Sequence, residues 1–176
     1  MATGKNTRQK ILNAATELAK MEGSAHLSLD AVAARAGISK GGLLYNFPTK
    51  SALLKALVQQ YIDDFRAALE ERLEKGGKSL AAEYFEVVVE ELQKKTPPPS
   101  GLLAALAEDP ELMAPIRAFN REMLDRMKSD GADKSILLVF LALEGLRCDN
   151  VFGTDVLDKS ECDIVLKSLR EMLQQD

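Results

Sequence analysis

The chain has 176 residues, 46% of them hydrophobic and 28% charged, which suits a soluble globular protein with a small head and a larger body. Its longest uncharged apolar run, Ile136 to Leu143, covers eight residues and is too short to cross a bilayer. Lys5, Arg8, Lys10, Glu17 and Lys20 interrupt residues 1–20, so no secretory apolar segment fits there. Cys148 and Cys162 form neither a disulfide framework nor a metal-ligand spacing. These features exclude a membrane span, an exported disulfide scaffold and a zinc module. A cytoplasmic protein with no metal and no cofactor is expected.

The net charge of −4 is unevenly spread. Residues 1–50 hold seven Lys/Arg against three Asp/Glu, a balance of +4, whereas residues 51–176 hold sixteen against twenty-four, a balance of −8. A basic head on an acidic body fits a phosphate-facing module joined to a part that must stay off nucleic acid.

Helical periodicity runs through nearly the whole chain, and no stretch alternates apolar and polar residues as a strand would. The spacing predicts an all-α fold of about nine helices. The first starts after Thr7 as N-cap and ends at Gly23, with Ile11, Leu12, Ala15, Leu18 and Ala19 on one face. Ser28 caps a short second helix through Ala36, closed by Gly37 in a left-handed turn. Ser39 caps a third, Lys40 to Phe47, which Pro48 follows. Thr49 caps a long fourth helix to about Lys75, broken by Gly76-Gly77-Lys78. A fifth spans Ser79 to Lys95 and stops at Thr96-Pro97-Pro98-Pro99. A short sixth, Gly101 to Glu108, precedes Asp109-Pro110, and a seventh regularises after Pro115 and runs to about Ser129. The eighth, Lys134 to about Phe152, is the most apolar and is expected to be buried. Ser160 with Asp163 resembles a capping box for a ninth, Glu161 to Gln174. Two domains follow, a head over residues 1–50 and a helical bundle over 51–176.

Residues 28–47 have the layout of a helix-turn-helix. Ala33 is small where two helices must cross, Gly37 makes the turn, Ile38 anchors it, and Leu43 with Phe47 gives the second helix an inward face. The outward face then carries Lys40, Gly41, Gly42, Leu44, Tyr45 and Asn46. A helix-turn-helix lays such a helix in the DNA major groove. On spacing alone, a plain helical hairpin is as good a reading.

The segment Ser39-Lys40-Gly41-Gly42-Leu43-Leu44-Tyr45-Asn46-Phe47-Pro48-Thr49-Lys50 resembles the recognition helix and following helix start of the tetracycline-repressor (TetR) family. Thr7 to Ala15 resembles that family's first helix and Leu29 to Gly37 its second, so the likeness covers about residues 5–60. It implies a homodimer of nine-helix subunits, three helices for DNA and six for dimerisation and effector binding. It also implies a repressor released from its DNA operator by a small molecule.

The recognition segment departs from many members by placing Gly42, Leu44 and Asn46 where they carry threonine, tyrosine and histidine. Its aromatic residue comes one position later, as Tyr45. Lys40 is assigned to a guanine edge or phosphate, Tyr45 and Asn46 to phosphate or a base edge, and Leu44 to a thymine methyl. Thr7, Ser28, Ser39 and Lys50 are placed at helix N-termini, where phosphate binding is favourable. Gly41 and Gly42 together cost a helix roughly 1.5–2 kcal/mol relative to alanine. Either their missing side chains admit a close approach to DNA, or the helix is short enough to tolerate them.

In the body, Ile164, Val165, Leu166, Leu169, Met172 and Leu173 give the last helix a broad apolar face. Paired with the eighth helix across a two-fold axis, it would form a four-helix interface. Candidate effector-lining residues are Phe65, Phe85, Leu103, Phe119, Met123, Phe140 and Glu144. Glu144, Arg147 and Asp149 interrupt or follow the most apolar helix and need partners if buried, either a ligand or the other subunit. His26 reads as a loop residue, and Cys148 and Cys162 as free thiols, with redox sensing the rarer option. With one histidine, no phosphate loop and no nucleophile elbow, an enzyme is not expected. The competing reading is a helical adaptor that binds protein rather than DNA.

Overall fold

In the computed structural model, the described residues are 2–22, 27–76, 78–93, 110–129, 134–154 and 156–174. Every regular element among them is helical: α1 Ala2–Glu22, α2 Leu29–Ala36, α3 Lys40–Asn46, α4 Lys50–Lys75 and α5 Leu80–Gln93. A 3₁₀ turn, Pro110–Met113, then leads into α6 Ala114–Ser129, α7 Lys134–Phe152 and α8 Lys159–Met172. The expected helix over Gly101–Glu108, with Leu103, and the loop residue His26 lie outside the described residues. No described helix is long and apolar enough to cross a membrane.

The chain forms two compact units. One is Met1–Ile62 with Pro97–Ile116; the other is Asp63–Thr96 with Arg117–Asp176. The first is built on burial along one face of each short helix. Ile11, Leu12, Ala15, Leu18 and Ala19 of α1 meet Val32 and Ala33 of α2, Leu43 of α3 with Phe47, and Leu53, Leu54 and Leu57 of α4. Leu112 of the 3₁₀ turn joins the same cluster and is 1% exposed. The second unit centres on α5, which packs against α7 and α8. Ion pairs Arg66–Glu122 and Arg126–Glu70 tie α4 to α6 there.

Local chemistry explains most element ends and corrects several expectations. Ser28 accepts from the Ala31 amide at 3.1 Å, and Gly37 adopts φ 64°, closing α2 through amide bonds from Gly37 to Ala34 and from Ile38 to Ala33. No proline lies between Ala2 and Thr7 and the single Gly4 does not stop the helix, so α1 begins at Ala2 and Thr7 lies inside it rather than capping it. Pro115 is the second residue of α6, in the first turn, where its missing N–H removes no intrahelical bond. The capping box of α8 is two residues earlier than expected. Asp158 accepts from the Glu161 amide at 2.9 Å, and Glu161 accepts from the Asp158 amide at 2.9 Å.

The eighth predicted helix, α7, is not buried all round. Ile136, Val139 and Leu143 face the core, but Leu137, Leu138 and Leu141 are exposed, the last at 70%. A helix apolar on every face has one more apolar face than a single bundle covers.

Leu112 reaches the head core from a separate segment, so its truncation should loosen that unit. Leu112→Ala is expected to cost about 2–5 kcal/mol, read as a lower urea midpoint of the circular dichroism transition. An unchanged midpoint would mean that the turn is dispensable to the head.

Candidate nucleic-acid interface and effector site

The recognition segment is held from beneath. Leu43 and Phe47 are buried, while Tyr45 on the opposite face is 90% exposed. Ser39 caps α3 by accepting from the Gly42 amide at 3.1 Å, and Thr49 caps α4 by accepting from the Ala52 amide at 3.0 Å. These caps place Lys40 and Gly41 at the start of α3 and Lys50 at the start of α4. Leu44 and Asn46 are half-buried on α3, and Asn46 donates from Nδ2 to the Gly42 carbonyl at 2.9 Å. Lys40 pairs with Asp30 at 2.9 Å, but both side chains are more than half exposed, so the pair is weak and open to exchange. Ser28 is exposed at the start of α2.

A Cβ added to Gly41 would meet nothing within 4 Å, and one added to Gly42 would meet only Ser39 Oγ, at 3.4 Å. Neither has a positive φ. The fold therefore demands glycine at neither position. Sequence reasoning missed Arg8, whose guanidinium lies 5.1 Å from the Phe47 ring centroid, so that a cation sits beside the end of α3. Thr7 is its neighbour in α1. Arg8 falls outside the helix-turn-helix pattern, and only the packing of α1 on the head reveals it.

In the second unit, four of the candidate effector residues converge. Phe65 packs on Phe119 with centroids 5.6 Å apart and on Tyr84 at 5.2 Å, and Phe140 packs on Tyr84 at 5.7 Å. Glu144 sits among them with three donors. Tyr84 Oη donates to it at 2.9 Å, Asn120 Nδ2 at 2.7 Å and Arg147 at 2.7 Å. Arg147 also faces Glu91 at 3.4 Å and lies 5.1 Å from the Phe65 centroid. Glu144 and Arg147 thus satisfy each other within one chain. Asp149 caps the turn after α7 by accepting from Thr154 Oγ1 and the Val156 amide. Met123 is fully buried in the same unit. Phe85 does not join this centre; it lines a separate cavity of about 450 Å³. Tyr84 and Asn120 are lining residues that the sequence does not mark, because a lone tyrosine on an apolar helix or an asparagine on a charged one carries no pattern. Arg147 is marked only as a charge that needs a partner if buried.

Burial pushes the Glu144 carboxyl up, against the bonds from Tyr84 and Asn120, and pushes the Tyr84 hydroxyl well above its ordinary value. Burial lowers Arg147 to about 10, which leaves it cationic at neutral pH. The Cys148 thiol is raised by burial and by Glu144, and the Cys162 thiol by burial and by Asp149 and Asp163.

Two family descriptions match the sequence. "Bacterial regulatory proteins, tetR family" covers residues 11–57, and "Tetracyclin repressor-like, C-terminal domain" covers residues 78–174. The chain belongs to the tetR family of bacterial regulatory proteins. The expectation drawn from Ser39–Lys50 is met, and membership makes the chain a transcriptional regulator rather than an enzyme. Among solved structures, the multidrug binding protein EbrR complexed with malachite green superposes with a TM-score of 0.71 at 24% identity, over 96% of both chains. A transcriptional regulator from Rhodococcus sp. Rha1 gives 0.69 at 20% over 96% of both. A TetR-family regulator from Haemophilus influenzae gives 0.64 at 17%, over 96% of this chain and 97% of that one. At these identities the likeness establishes the fold. No curated protein sequence matches the chain.

Raised thiols are poor nucleophiles, the opposite of what a redox sensor requires. Both cysteines should therefore be alkylated by iodoacetamide at pH 8 more slowly than cysteine in an unstructured peptide. Faster labelling of either would reopen the redox reading.

Proposed function

We propose that this regulator is a homodimeric repressor that grips an operator with α3 of each subunit and leaves it when a small molecule binds the body. The observation that carries this is the presentation of α3: two buried anchors beneath, and Tyr45, Lys40 and a bare glycine backbone above. Residues 1–50 act as the DNA-binding part and residues 51–176 as the effector and dimerisation part. Lys40, Tyr45, Asn46 and Leu44 read the major groove. Ser28, Ser39 and Lys50, at or beside helix N-termini, serve the phosphates, Thr7 having lost that ground by lying inside α1. Gly41 and Gly42 let the helix backbone approach the duplex. Two heads related by a dyad would dock in successive major grooves about 34–36 Å apart.

The exposed apolar stripe of α7 supports the dimer. Leu137, Leu141, Gly145, Cys148 and Phe152 recur at intervals of three and four along one face, and Ile164 of α8 is also exposed. A Cβ on Gly145 would meet nothing within 4 Å, so a second helix could approach closely at that point. Leu141→Glu is expected to yield monomers in sedimentation velocity with unchanged helicity. A persistent dimer would place the interface elsewhere.

The effector is proposed to enter among Phe65, Phe119, Met123, Phe140 and Glu144. EbrR, a multidrug binding protein seen with malachite green, lends support to a small-molecule site in a fold of this kind.

Fluorescence anisotropy with DNA from upstream of the gene, over a salt series and against a scrambled duplex, tests the reading. Selective binding should fall steeply with salt and weaken in Tyr45→Ala and Lys50→Ala. Gly41→Ala discriminates further, since it should stabilise α3 by up to about 1 kcal/mol while weakening operator binding. Unchanged operator affinity in Gly41→Ala would remove the close-approach argument. Salt-insensitive binding to protein and none to DNA would favour the adaptor.

A further inference from the structure

The cavity beside Phe85 is independent of the Glu144 centre and of the DNA-binding reading. It lies within the second unit, is partly open to solvent and has a volume of about 450 Å³, the size range of small-molecule pockets. Ala81, Ala82, Phe85, Met127, Ile136 and Leu173 supply an apolar wall. Three charged groups line it: Lys78, Glu86 and Arg170. Glu86 lies between the two cations, 3.2 Å from Arg170 Nη2 and 3.7 Å from Lys78 Nζ. The Arg170 guanidinium carbon lies 5.1 Å from the Phe85 ring centroid, within cation–π range, and Arg170 is one of the lining residues.

We infer that this cavity binds an amphipathic monocarboxylate, its chain against the apolar wall and its carboxylate on Arg170 and Lys78. The charge ratio decides the sign of the ligand. Two cations share one carboxylate, so the described lining keeps a net positive charge that a second carboxylate neutralises and an ammonium opposes. Glu86 itself shows that a carboxylate is accommodated between these cations. The N-terminus of α5, beginning at Leu80 beside the lining residues, adds a favourable field for an anion. An uncharged hydrocarbon would gain the wall but leave the excess cation unused, and a dianion would exceed it.

The test is isothermal titration calorimetry of the full chain with decanoate below its micellar concentration, with decyltrimethylammonium as the chain-matched cation. Saturable one-site binding of decanoate that the cation does not compete for is expected. Arg170→Met, which keeps the stem over Phe85 but removes the fork, should weaken binding about tenfold or more. Glu86→Gln frees both cations and should tighten it severalfold, a gain that misfolding cannot imitate. Absence of saturable decanoate binding, equal binding of the cation, or weaker binding in Glu86→Gln would each overturn the proposal. Loss of DNA binding in a separate assay leaves these outcomes untouched, because calorimetry is done on the protein alone.

Discussion

Seven residues with glycine at two successive positions do not hold a helix in water, because nucleation is unfavourable and each glycine adds backbone entropy. Yet α3 is regular from Lys40 to Asn46. Burial of Leu43 and Phe47 in the head core supplies what propensity withholds, and Ser39 satisfies one of the amides left open at the helix start. Everything proposed for the exposed face follows from that anchoring. The side chains above need no role in stability, so they are left to differ from those of other regulators with the same frame. The two glycines sharpen the argument, since the core tolerates alanine at both positions and stability favours it.

The body solves a different problem. Glu144 is brought into an aromatic environment where an isolated carboxylate would be costly, and three donors, one of them the Arg147 guanidinium, compensate it. Such a centre adds little net stability compared with a hydrophobic filling, but it is specific in geometry. It fixes α5, α6 and α7 against one another through Tyr84, Asn120 and Glu144. A ligand that competed for any of these bonds would act on three helices at once, which is the ground for proposing the effector site here.

How far the sequence reveals this varies by element. The helix-turn-helix was legible because its spacing is rigid: Ser28, Gly37 and Ser39 each have one local job, and each does it as expected. The bounds of α4 and α7 were equally plain, because glycines, prolines and caps flank them. The gathering of Phe65, Phe119 and Phe140 about Glu144 was partly legible, as apolar positions facing inward on different helices. Their partners Tyr84 and Asn120 were not, since they lie 60 and 24 residues from Glu144 and no local pattern joins them. Arg147, three residues from Glu144, was legible only as a charge that needs a partner if buried. Thr7 misled as a cap because capping depends on the residues before it, and those permit a helix. Phe85 shares its residue type with the other aromatics, but it follows Tyr84 directly, about 100° around α5, and so looks onto a different part of the unit.

The uneven charge of the chain ties these parts into one physical scheme. Residues 51–176, which carry −8, are repelled by a polyanion, so residues 1–50, at +4, are the part of the chain that a duplex attracts. The same negative charge opposes the meeting of two bodies. An interface between them must therefore rest on contacts that do not depend on charge, and leucines at 137, 138 and 141 are of that kind. Salt weakens a phosphate contact by counterion competition, but it relieves repulsion between like-charged bodies. In this scheme the two associations respond to ionic strength with opposite sign. Operator binding and dimerisation, as proposed, would then draw on separate forces, and a change in one set of residues would leave the other force intact.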